Sequence, residues 1–219
     1  MCDKFESFRF VNILILAEYS NLIQNNLLSL TSNRANSFIA MGNRKLLNSE
    51  LGRDSIEQFK ERRKLPVAVV LDNVRSQFNI GSVFRSSDAF IAEKVILCGI
   101  SATPPSAEIH KSALGAEFSV DWEYFENTED AVAALKACGY RIVSIEQTEN
   151  SVSLSDFKTA PGEKYALVFG NEVHGVQQSV VDLSDASIEI PQFGTKHSLN
   201  VSVCIGVVLW EFLRKLGKV

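Results

Sequence analysis

Three short segments hold most of the residues whose types and spacing could do chemistry. In NIGSVFRSSDAF, Asn79 is expected to cap a helix whose inward face is Ile80, Val83, Phe84 and Ile91. Arg85 falls close to two turns further on, beside that apolar stripe, where a guanidinium is free to meet an anion. In KYALVFGNEVHGV an apolar strand runs straight into Gly170, with Glu172 and Gly175 following. Glycine at a strand's carboxyl end lets backbone approach a ligand closely, and in open α/β sheets ligands bind at those ends. In SIEIPQFGTKHSLNVS a strand stopped at Ile190–Pro191 leads through Gly194 to a helix entered at Ser198, Leu199 and Asn200. A helix mouth offers unpaired N–H donors to an anion or a nucleotide. Asn200 reads as lying inside the first turn, where asparagine is poorly suited without a partner.

Each segment alone has a plainer reading: an ordinary cap with a solvated arginine, a simple β-turn, and a serine cap at Ser198. Absences narrow the chemistry. No G-x-G-x-x-G follows the first strand, and no G-x-x-x-x-G-K-[ST], H-E-x-x-H or nucleophile elbow occurs. His110, His174 and His197 lack metal-ligand spacing and read as ordinary loop histidines. Trp122, Tyr124 and Phe125 read as packing residues.

The elements that must position these segments alternate. Apolar runs in PVAVVLDN, KVILCG, YRIVSIEQ, YALVFG and ASIEIP take turns with helical stretches in TEDAVAALKACG, QQSVVDL and LNVSVCIGVVLWEFLRKL. Runs such as VAVV suggest strands buried on both faces, so the fold class is α/β, a mainly parallel sheet flanked by helices. The closing helix is apolar almost all round from Val201 to Leu209 and is expected to be central.

The chain divides into a flexible or dispensable extension over 1–40, a basic helical segment over 41–64 and the main domain over 65–219. The basic segment holds seven cations against four acids, a local balance of +3, although the whole chain carries −4. Residues 51–64 are expected to form a short helix with Leu51, Ile56 and Phe59 on its apolar side. From Glu117 to Glu163 ten acids face three cations, so one surface repels phosphate while another can receive it. Four scattered cysteines suggest neither disulfides nor zinc, and the apolar run at 11–17 is too short to span a membrane. Those features fit a cytoplasmic protein.

Taken together and in order, the three motifs resemble the SpoU/TrmH family of SPOUT RNA 2′-O-ribose methyltransferases, over Pro66 to about Leu216. The resemblance implies S-adenosylmethionine as cofactor, tRNA or rRNA as substrate, no metal, a deep C-terminal trefoil knot, and a homodimer with active sites completed near the subunit interface. It assigns Asn79, Arg85, Glu172, Ser198 and Asn200 to the reacting end. It gives the cofactor three loops, corresponding to Glu146, Gln147 and Thr148; Phe169, Gly170 and Asn171; and Ile190, Pro191 and Gln192 with Leu199. RNA would be held by Arg44, Lys45, Arg62, Arg63 and Lys64 of the basic segment, with Lys111 and Lys196 near the loops. Lys111, Ser112 and Gly115 resemble a family loop. No RNA-binding domain precedes the core, a departure from the larger rRNA enzymes. Two other readings stand beside this one: a non-catalytic RNA-binding protein on the same scaffold, and an enzyme acting on a small nucleotide.

Overall fold

A computed structural model describes residues 43–217. The expected 1–40 extension lies outside them. Among the described residues, those up to Arg53 fall outside the compact unit that runs from Asp54 onward. Among the described residues of the first stretch, a 3-10 turn spans Asn48–Glu50 and Arg44 pairs with Glu50 at 2.6 Å.

The second unit is built on seven parallel strands: β1 (Leu65–Asp72), β2 (Ala92–Cys98), β3 (Asp121–Phe125), β4 (Tyr140–Ile145), β5 (Val152–Ser153), β6 (Lys164–Phe169) and β7 (Ala186–Glu189). Their order is β3-β2-β1-β6-β4-β7-β5. The chain leaves β1 toward β2 and β3, then returns on the other side, so the strand order reverses beside β1 and opens a crevice at the carboxyl ends. In β1, Val67, Val69 and Leu71 join one core cluster and Ala68 and Val70 the other, which is why the strand reads as an unbroken apolar run.

Among the described residues seven helices flank the sheet: α1 (Ile56–Glu61), α2 (Gln77–Ala89), α3 (Ala107–Ala113), α4 (Ala116–Ser119), α5 (Thr128–Ala137), α6 (Gln178–Leu183) and α7 (Val201–Lys215). The larger core cluster takes in Phe59 of α1, Ile80, Val83 and Phe84 of α2, and Ile205, Val208, Leu209 and Phe212 of α7. The other holds Ala131, Val132 and Leu135 of α5 with Val180 of α6.

Several expectations are corrected. The helix expected over 51–64 is confined to Ile56–Glu61, because Ser55 and Gln58 form a capping box that starts it there; Leu51 stays exposed. Phe59 belongs to the core of the main unit rather than to a separate segment. Ile91 follows α2 instead of lining it, in the left-handed region at φ 51. The last helix is not buried all round, since Val203, Val207 and Trp210 leave an apolar stripe exposed. His110 sits on α3 rather than in a loop. Strand β3 escapes the apolar pattern because it is an edge strand whose acids, Asp121 and Glu123, face solvent. Within it Tyr124 is exposed, donating to the Gly99 carbonyl at 3.0 Å, while Trp122 and Phe125 pack against the two cores. No helix among the described residues is long and apolar enough to cross a membrane.

Candidate active site

At the carboxyl ends of β4, β6 and β7, beside the mouth of α7, lies a cleft of about 520 Å³. That size suits a nucleoside-type ligand. The strands end there because Glu146, Gly170 and Pro191 interrupt the apolar runs of β4, β6 and β7, and each end delivers a short loop.

The loop after β6 turns back on itself. Asn171 and Gly175 exchange backbone hydrogen bonds at 3.0 and 2.9 Å, and Asn171 Oδ1 accepts from Val173 N at 2.8 Å. The return strand passes so close that a Cβ on Gly170 would lie 1.9 Å from the Gly175 carbonyl carbon and 2.0 Å from Val176 N. Only glycine fits. Four anchors then hold the loop. Glu146 accepts from Val176 N at 2.9 Å, and Asn171 Nδ2 donates to the Asn73 carbonyl at 2.7 Å. Asp72, fully buried at the end of β1, accepts from Gln177 N and Nε2 at 2.8 and 2.7 Å. Glu172 reaches outward to α2.

That last contact joins the motifs. Ser76, not Asn79, caps α2, its Oγ accepting from Asn79 N at 3.3 Å. Asn79 therefore sits in the first turn with its side chain free for other work. Glu172 accepts from the backbone N–H groups of Arg75 and Ser76 and from Asn79 Nδ2, each at 3.1 Å. Burial pushes the Glu172 carboxyl up, but the hydrogen bonds from Arg75, Ser76 and Asn79 outweigh it and hold the pKa below the ordinary glutamate value. An anion that already accepts three bonds at a helix amino terminus orients the site better than it shuttles protons.

Asn79 Oδ1 in turn accepts from Asn200 Nδ2 at 3.2 Å. Asn200 is itself the cap of α7, accepting from Ser202 N at 2.9 Å and Val203 N at 3.4 Å, so the expected conflict of an asparagine inside the first turn does not exist. Glu172, Asn79 and Asn200 thus form one hydrogen-bonded chain across three segments that together span 121 residues of sequence.

Of the residues expected to hold cofactor, Glu146, Gln147, Phe169, Gly170, Asn171, Ile190, Gln192 and Leu199 line the cleft, as do Glu172, Ser198 and Asn200. Thr148 and Pro191 are not among its lining. Gln147 Nε2 donates to the His197 carbonyl at 3.1 Å, tying the first loop to the third. Arg85 is exposed on α2 and does not line the cleft. Six residues beyond Asn79, it lies about 9 Å further along the helix axis. The expected RNA-binding cations are unequally free. Arg62 pairs with Asp54 at 2.9 Å, and Lys64 lies over the Phe59 ring and donates to its carbonyl, whereas Arg63, Lys111 and Lys196 are exposed without a salt bridge among the described residues.

Sequence reasoning missed Asp72, an acid closing a strand that reads as buried on both faces, which is itself the signal. It also missed His174, His197, Glu189 and Cys204 in the cleft lining. Burial raises the Cys204 thiol to about 12, so it stays protonated and unreactive at neutral pH.

Fold and site together define a class: a parallel α/β protein with a ligand cleft made by three strand-end loops and clamped by hydrogen-bonded polar side chains at a helix mouth. Residues 66–210 match the SpoU rRNA Methylase family, and the chain belongs to that family. It is 30% identical over 164 residues to the tRNA (guanosine(18)-2'-O)-methyltransferase of Aquifex aeolicus, covering 73% of this chain and 74% of that enzyme. The AdoMet-bound rRNA methyltransferase of Sinorhizobium meliloti superposes with a TM-score of 0.65 at 29% identity, covering 75% of this chain and 62% of that one. The SpoU methyltransferase AviRb of Streptomyces viridochromogenes, in complex with AdoMet, gives 0.62 at 27% identity, covering 71% and 62%.

Proposed function

We propose that this protein transfers a methyl group from S-adenosylmethionine to a ribose 2′-hydroxyl of tRNA or rRNA. The observation that carries the reading is the hydrogen-bonded chain from Glu172 through Asn79 to Asn200 at the rim of the cleft. It ties together the three motifs whose order identifies the family.

The cleft suits the cofactor: Ile190 and Leu199 offer apolar surface for an adenine ring, and the loops around Gly170 and Gln147 bring backbone polar groups beside it. When bound, S-adenosylmethionine supplies an activated methyl with a good leaving group. The protein's own residues must then align the hydroxyl and help remove its proton. Ser198 and Asn200, at the helix mouth, orient the sugar, and Asn79 and Glu172 fix Asn200. A guanidinium does not give up its proton in proteins, so Arg85 acts by gripping the neighbouring phosphate and stabilising the developing alkoxide.

Arg85 stands away from its own cleft, and a homodimer answers that difficulty. The stripe of Val203, Val207 and Trp210 on α7 is exposed and apolar, and Phe78 and Arg85 are exposed on the helix packed against it. A second copy covering that face would bury the stripe and carry Arg85 toward the partner's cleft. A trefoil knot formed by the C-terminal loops and a cytoplasmic location complete the proposal, by family resemblance. Lys45, Arg63, Lys111 and Lys196 are the cations best placed to hold RNA, with Arg44, Arg62 and Lys64 contributing less. Calorimetric titration with S-adenosylmethionine tests the reading: saturable one-site binding per chain, lost in Gly170→Ala, is expected. Absence of binding would overturn the reading in favour of one that needs no such cofactor, the non-catalytic RNA-binding protein or the enzyme acting on a small nucleotide.

A further inference from the structure

A second cavity, of about 640 Å³, lies between α3, α4 and β3, lined by Pro104, Pro105, His110, Glu117, Phe118 and Trp122. Its walls are largely apolar, with Phe118 and Trp122 supplying two aromatic rings. Phe118 is 58% exposed, and its ring lies 6.1 Å from that of His110. Packing explains neither the exposed phenyl nor what stands behind it. Glu117 is a buried carboxylate, its side chain 4% exposed, that meets His110 Nδ1 at 2.5 Å. Its other oxygen, Oε2, is buried with no hydrogen-bond partner among the described residues. A half-satisfied buried carboxylate is costly and calls for an explanation.

The cavity is fixed rigidly to the candidate active site. α3 crosses α2 at Gly81, where a Cβ would lie 2.1 Å from Ser112 Oγ and 2.3 Å from the Ile109 carbonyl, so no other residue allows that approach. Ser106, which caps α3 and borders the cavity, bonds Gln77 at 2.5 Å, two residues before Asn79. Whatever occupies the cavity is therefore held at a set position relative to Asn79.

We propose that this cavity is a subsite for an unstacked nucleobase of the RNA substrate, flanking the nucleotide that is methylated. The inference rests on the RNA-substrate reading above. Aromatic faces accept any base by stacking. The His110–Glu117 pair selects among them: the imidazole, held at Nδ1 by Glu117, presents its exposed edge to the base edge. Exposed Lys111, next to His110, meets the adjoining phosphate.

The test uses the full chain, unfractionated tRNA and fragmented rRNA, each with S-adenosylmethionine present. Phe118→Ala, at an exposed position, is expected to weaken RNA binding about tenfold, the effect of losing one base stack, and to leave cofactor affinity unchanged. RNA should also quench tryptophan fluorescence in the native chain and lose that effect in Trp122→Phe. If the native chain binds RNA but Phe118→Ala and His110→Ala bind it equally well, the subsite is refuted while the methyltransferase reading survives. A change of oligomeric state in Phe118→Ala with RNA affinity intact also refutes it, assigning the cavity to a protein contact. Failure of the native chain to bind either RNA would overturn both readings together.

Discussion

Asp72→Asn is the most informative perturbation of the cleft, because the side chain it changes is buried and touches no ligand-lining position directly. Asp72 Oδ1 accepts from Thr128 Oγ1 at 2.6 Å, Gln177 Nε2 at 2.7 Å and Asn73 Nδ2 at 2.9 Å, and Oδ2 accepts from Gln177 N at 2.8 Å. An asparagine of the same shape keeps its carbonyl against the first three donors and must then turn its NH₂ toward Gln177 N. One backbone donor is left unpaired against another donor, and the charge that strengthened the remaining bonds is gone. At about 1–3 kcal/mol for an unsatisfied buried group, the variant should lose about 2 kcal/mol of stability, read from denaturant midpoints at constant slope. Gln177 closes the loop that begins at Gly170, so S-adenosylmethionine affinity should fall about tenfold, equivalent to about 1.4 kcal/mol of extra loop ordering. A stability loss with unchanged cofactor affinity would show that Asp72 supports the core alone. No loss of either would refute the buried clamp.

Gly170→Ala places a Cβ 1.9 Å from the Gly175 backbone, and should cost about 1–3 kcal/mol and abolish cofactor binding by calorimetry. Arg85→Lys should bind S-adenosylmethionine as the native chain does, since Arg85 lies outside the cleft, while methyl transfer falls about a hundredfold for want of a planar fork. Val207→Asp, charging the exposed stripe of α7, should shift the protein to monomer in sedimentation and lose activity without losing its fold. The Glu172 carboxyl has its pKa lowered in the folded protein, so its contribution is fully present above the ordinary value of about 4.3 and is lost as pH falls through the lower folded value. The difference in thermal midpoint between native protein and Glu172→Gln should therefore be constant near neutrality and close only in acid.

What the sequence shows and what it conceals follow from physical range. The parallel sheet is legible because strands such as 67–71 are buried on both faces and leave an unbroken apolar run. Edge strand β3 is hidden because exposure removes that run. Asn79 and Asn200 are recognisable as special, but their assignments were exchanged with neighbours: Ser76 caps α2, and Asn200 caps α7. Cap positions depend on which of several adjacent polar residues turns back on the backbone, a choice made by tertiary contacts such as those of Glu172. The bond between Asn79 and Asn200 spans 121 residues and has no local signature. The same holds for Asp72, whose partners lie as far off as Gln177. The basic segment shows the opposite failure. Counting charges gives +3, yet Arg44, Arg62 and Lys64 already have partners within the protein.

The central claim is tested most directly by incubating the native chain with RNA and S-adenosylmethionine labelled in its methyl group, then hydrolysing the RNA in alkali. A methyl on the ribose 2′-oxygen blocks cleavage at that nucleotide, so the account predicts label in alkali-resistant dinucleotides, formed about a hundredfold more slowly by Arg85→Lys. Label in single nucleotides, which would place the methyl on a base, or no transfer to any RNA, would contradict it.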